Sequence, residues 1–148
     1  MAASGEDRVL RYAGAIFLLA LLVHAADHLR RGFGILTPEV LWAGNFQLVM
    51  AIVTLVLVFR GHRLAPIAAV AIGFPSALGF IGAHLLPHWS AFSDSFTGSA
   101  VAPHVTAFSW FAALFEIGAD LAFGMAGLQA LRRGGSPVDG RRARAQAV

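Results

Sequence analysis

Residues 41–59 read LWAGNFQLVMAIVTLVLVF, nineteen positions without a charge. Crossing a hydrocarbon core of about 30 Å takes about 20 helical residues. Lipid offers the backbone no hydrogen-bond partner, so a spanning run is either a helix or a strand of a closed barrel. Barrel strands alternate lipid-facing apolar and lumen-facing polar residues. No such alternation runs through Val49 to Phe59, so the stretch predicts a membrane-spanning helix.

Working outward, only Arg60 to Arg63 separate this run from a second apolar stretch, residues 64–86. A connection that short makes the two helices antiparallel neighbours. Two more apolar stretches follow the same pattern, residues 9–29 and 105–131. The expected fold is all-α, an integral membrane four-helix bundle over residues 1–131, followed by a disordered basic tail at 132–148. Composition agrees: of 148 residues, 57% are hydrophobic and 13% charged, outside the range of a soluble domain. Arg8 and Arg11 ahead of an apolar run, with Val23-His24-Ala25 behind it, also fit a signal peptide. Apolar character continues through Ala26 to a spanning length, so the stretch is expected to be retained as the first helix.

Arg placement orients the bundle. Arg8, Arg11, Arg60, Arg63, Arg132, Arg133, Arg141, Arg142 and Arg144 fall on one side, and only Arg30 and Arg31 on the other. The positive-inside rule then puts both termini in the cytoplasm of a multi-pass plasma-membrane protein. Trp42, Trp89 and Trp110 fall at the outer ends of their helices, where indoles prefer to lie. Expected partners are the bilayer, anionic lipid at the basic tail, and a second copy of the chain. Nucleic acid is not among them.

Small residues suggest close helix packing at Gly73, Gly79, Gly82 and Ala83, and at Gly118, Ala122, Gly124 and Gly127. Pro75 predicts a kink in the third helix. The third loop, with Ser90, Ser93, Asp94, Ser95 and Thr97, reads as solvated.

The chemistry-bearing residues collect at the outer end. At 1.5 Å per residue, His28 and His84 lie about 13 Å outward from their helix midpoints, and His24 and Asn45 about 7 Å. His24 and His28, four residues apart, share one helical face and can chelate one ion. His84 and His88 repeat the spacing, interrupted by Pro87. Asp27, Asn45 and Gln47 are expected to support these groups from a second layer, Asp27 by fixing an imidazole tautomer. With no Cys, a metal site must use imidazole and oxygen ligands. The expected ligands of a divalent transition metal are therefore His24, His28, His84, His88 and Glu116.

Haem b on His28 and His84, at equal depth, is the other cofactor expectation. In architecture the layout resembles b-type cytochrome membrane anchors, which implies bis-imidazole haem between helices. A third reading starts from Glu116 and Asp120, also four residues apart, about 3 Å from the midplane. A carboxylate there costs at least about 2.5 kcal/mol, so at least one of the pair is expected to carry its proton. They would form the proton or cation site of a transport subunit, on a polar track running from the imidazoles past Asn45 and Gln47. A ligand-free assembly protein is the remaining alternative. No nucleophile with a base at a readable spacing is present, and a redox role would require a bound metal or haem.

Overall fold

The computed structural model describes residues 5–134. Most of the expected basic tail, residues 135–148, lies outside them. The described residues form α1 (Gly5–Arg31), α2 (Pro38–Phe59), α3 (Ala65–Phe80, extended by a π turn at Ile81–Leu85) and α4 (Ala107–Gly134). There is no strand among them. Each helix is long and apolar enough to cross a membrane, the mark of a multi-pass membrane protein.

Local signals set the boundaries. α1 ends where Gly32 takes a φ of +87° and its N–H reaches His28 O at 2.8 Å, a conformation glycine adopts without steric cost. α2 begins on Pro38, whose missing N–H is no loss at a first turn, and the Thr37 hydroxyl caps Val40 N at 3.2 Å. α4 runs past the expected end at Leu131, carrying Arg132 and Arg133 in its last turn, where cations complement the helix dipole.

The bundle is inverted relative to a soluble one. Leu19, Leu22, Ile67, Phe111 and Leu114 are each more than half exposed, whereas His24, Asp27, Arg31, Ser76, His84, Glu116 and Asp120 are buried. Lipid covers such an apolar exterior without cost. α4 is the central element, packed along α3 and α1, while α2 lies against α3 and scarcely touches α1. The core centres on Phe17 of α1 stacked on Phe123 of α4, ring centroids 4.8 Å apart.

Backbone contact between α3 and α4 depends on particular glycines. A Cβ on Gly73 would come within 2.6 Å of Asp120 O and Gly124 N, and one on Gly127 within 2.7 Å of Pro66 O. Gly79, Gly82 and Gly118 do not share this role, since a Cβ at any of them meets no atom within 4 Å. Six residues past Gly73 is about 240° around a helix, which turns Gly79 away from α4. Pro75 sits inside α3, and helical structure continues through it to Phe80. The departure from α geometry comes at the π turn, closed by Leu86 N–H to Ile81 O at 3.2 Å.

The third loop (residues 86–106) corrects the solvated reading. Ser93, Asp94, Ser95 and Phe96 are buried, and Ser93 Oγ accepts from the N–H groups of Trp89 and Ser90. A topology test therefore needs exposed positions, Ser99 in this loop and His62 between α2 and α3. In intact cells a membrane-impermeant maleimide should label Ser99→Cys, and His62→Cys only after lysis. The opposite pattern would put the third loop in the cytoplasm.

Candidate metal centre

His24 and His28 project from the last two turns of α1 with Nε2 atoms 3.0 Å apart. His84 comes from the π turn of α3, its ring centroid 5.1 Å from that of His24 and 6.0 Å from that of His28. One ring nitrogen of each lies within 4.8 Å of the other two, a group that could hold a metal ion. Nitrogens about 2.0–2.1 Å from a tetrahedral zinc stand about 3.3 Å apart. The α1 pair already has that separation, and His84 needs a shift on the order of 1 Å to join it.

His84 is oriented from behind. Its Nδ1 lies 3.0 Å from the backbone carbonyl oxygen of Asp94. A carbonyl can only accept, so this bond assigns the proton to Nδ1 and leaves the Nε2 lone pair bare. Metal-ligating histidines characteristically have their second nitrogen tied in this way. Phe80 stacks on the His84 ring at 5.9 Å and Phe96 lies against it at 4.6 Å, further limiting its rotation. The Nδ1 atoms of His24 and His28 have no hydrogen-bond partner among the described residues.

The carbonyl is held by an ion pair. Arg31 binds Asp94 in bidentate fashion, Nη1 to Oδ2 at 2.7 Å and Nη2 to Oδ1 at 2.6 Å, and its Nε donates to Pro103 O at 3.2 Å. The guanidinium also lies over Phe96, 5.2 Å from the ring centroid. Backbone bonds from Asp94 N to Ala83 O and from Phe96 N to His84 O fold the third loop onto the π turn. Sequence reasoning missed Arg31, Asp94, Phe80 and Phe96. The available signal was charge: Asp94 is the sole acid of the third loop, placed on the same side as Arg30 and Arg31.

Beside the imidazoles lies a cavity of about 560 Å³ between α1, α2 and α3. His24, His28 and His84 line it together with Asn45, Gln47 and Ser76, and the rest of its wall is largely apolar.

Other expected site residues lie elsewhere. Leu86 is extended (ψ 149°), so the helix ends before His88 can stack above His84, and His88 is exposed. Asp27 turns toward α4: its Oδ1 accepts from Arg30 Nη2 at 2.7 Å and from Ser109 Oγ at 3.0 Å, and its hydrogen bonds go to these groups and not to an imidazole. Asn45 and Gln47 border the cavity, but the Gln47 amide donates to Ser76 at 3.3 Å and not to a carboxylate of α4. Glu116 and Asp120 are fully buried, and none of their four carboxyl oxygens has a hydrogen-bond partner among the described residues. Neither belongs to the imidazole group or lines the cavity, so the expected continuous polar track is interrupted at α4.

Removing one partner of a buried ion pair strands the other charge, at a cost of about 3–5 kcal/mol, whereas replacing both with apolar side chains is often neutral. Asp27 Oδ2 lies 3.8 Å from Arg31 Nη1 and offsets part of this cost, so Asp94→Ala should lower stability by about 3 kcal/mol, the low end of that range, and Arg31→Met with Asp94→Leu should recover most of the loss. Chemical denaturation in detergent measures both. A stable Asp94→Ala protein would show that the clamp does not hold the loop.

The chain matches no protein-family model, no curated protein and no solved structure. What the site does has to be read from its own chemistry.

Proposed function

We propose that this multi-pass membrane protein binds one divalent transition metal ion at its outer end, through His24, His28 and His84. The observation that carries the reading is the convergence of three imidazoles from two helices, one with its far nitrogen tied to a backbone carbonyl. Imidazole donors suit zinc, copper, nickel and iron, and the chain has no thiolate to compete with them. A metal held here takes the Nε2 lone pairs of His24 and His28, whose protons then reside on Nδ1.

Three protein ligands leave a tetrahedral ion one position short, the arrangement of metal sites that engage an exogenous group. The cavity beside the imidazoles supplies room for one. Haem b draws less support, because porphyrin iron offers only two axial positions and a third imidazole stands 5.1 Å or less from each of the other two rings. The transport reading rests on Glu116 and Asp120, which stand apart from both the imidazoles and the cavity.

Metal analysis and titration of the purified protein test the proposal. About one equivalent should bind per chain, and His28→Ala and His84→Ala should each weaken binding at least tenfold, since losing even a hydrogen-bond partner of a ligand costs about 10–100-fold. His88→Ala, His104→Ala and Glu116→Gln should bind like the native protein. No binding in the native protein, or equal losses at His84 and His88, would refute the site.

A further inference from the structure

The cavity is far larger than metal binding requires. A water molecule's share of liquid volume is about 30 Å³, so about 560 Å³ equals roughly nineteen waters, while completing a three-histidine site takes one. The volume falls in the range of organic-ligand pockets, about 300–1,000 Å³.

Its wall says what kind of ligand fits. Glycines in helices are costly relative to alanine, by about 1 kcal/mol each, and in membrane helices their usual return is close helix approach. Gly44, Gly79 and Gly82 line the cavity, and a Cβ at any of them would meet nothing within 4 Å. They widen the cavity without bringing helices together. Apart from the imidazoles, its polar side chains are Asn45, Gln47 and Ser76. Phe46 and Leu78 form part of the lining and are each 70% exposed, so the opening is rimmed by apolar side chains on the surface that lipid covers. Little contact between α1 and α2 flanks this opening. A water-soluble ligand gains nothing from such an entrance; one dissolved in the bilayer does.

We infer that the cavity binds a membrane-borne amphiphile, an acyl or isoprenoid chain ending in an oxygen donor, with the chain along α2 and α3 and the oxygen in the open coordination position of the metal. This rests on the metal reading for its head-group end and on the cavity alone for its chain end.

The test uses the full chain in phosphatidylcholine nanodiscs loaded with cobalt(II), whose visible bands, recorded before the probe is added, report the metal. Binding of pyrene-labelled hexadecanoate is followed by fluorescence, with oleate and a decyl-tailed benzoquinone as competitors to separate an acyl carboxylate from a quinone source. Cobalt-loaded protein should bind the probe at least tenfold more tightly than metal-free protein. Gly79→Phe and Gly44→Phe should weaken the probe at least tenfold while leaving the cobalt spectrum unchanged, which also confirms that they fold. Gly82→Leu serves as a further filling variant if either loses that spectrum. Displacement by either competitor supports the inference and assigns the source. Native probe affinity in the filling variants overturns it, as does equal affinity with and without cobalt. A cobalt spectrum with no probe binding, or with cross-links through Phe46→Cys joining two copies across the cavity, overturns the lipid inference and leaves the metal site standing. Failure to bind cobalt overturns the metal reading instead.

Discussion

The histidine-bearing end of the bundle depends on the buried pair between Arg31 and Asp94. Burying two opposite charges costs several kcal/mol per ion, and the attraction recovers this only with good geometry and further hydrogen bonds. Both conditions hold: the pair is bidentate, and Arg31 also reaches Pro103 O, the face of Phe96 and, at 3.8 Å, Asp27 Oδ2. The result is positional. The end of α1, which carries His24 and His28, is tied to the loop whose carbonyl orients His84, so all three imidazoles share one rigid frame.

A second network, on the neighbouring Arg30, closes the other side. Arg30 bridges Asp27, His104 O and Ser109 Oγ, joining α1 to the start of α4. Thr37, the cap of α2, donates to Ala91 O and joins the first loop to the third. Only α2 is left loosely attached to α1, and the cavity lies along that seam. The part of the molecule that is least packed is thus the part that borders the imidazoles.

The fold was legible because membrane helices announce themselves by length and composition: four spanning-length runs, each with few charges, can hardly be anything else. His24 and His28 were legible as a pair because four residues on one helix dictate a shared face. His84 against His88 was not decidable, since the outcome turns on a π turn that places His84 inward and ends the helix at Leu85. Asp94 was read as solvated because loop residues usually are; its burial follows from a partner sixty-three residues away that no local pattern encodes. Gly79 and Gly82 were grouped with Gly73 by residue type, although the helical angle between them already separated the faces. Glu116 and Asp120 were correctly expected to face the interior, as their complete burial shows. Their separation from the imidazoles depends on how α4 rotates against α1 and α3, which periodicity leaves open.

The central claim is that three imidazoles share one ion, and X-ray absorption at the metal edge addresses it directly. For protein loaded with zinc or cobalt, the account predicts three nitrogen donors at about 2.0–2.1 Å with the scattering signature of imidazole rings, plus one oxygen donor. A first shell made of oxygen alone, or one containing a single imidazole, would contradict it.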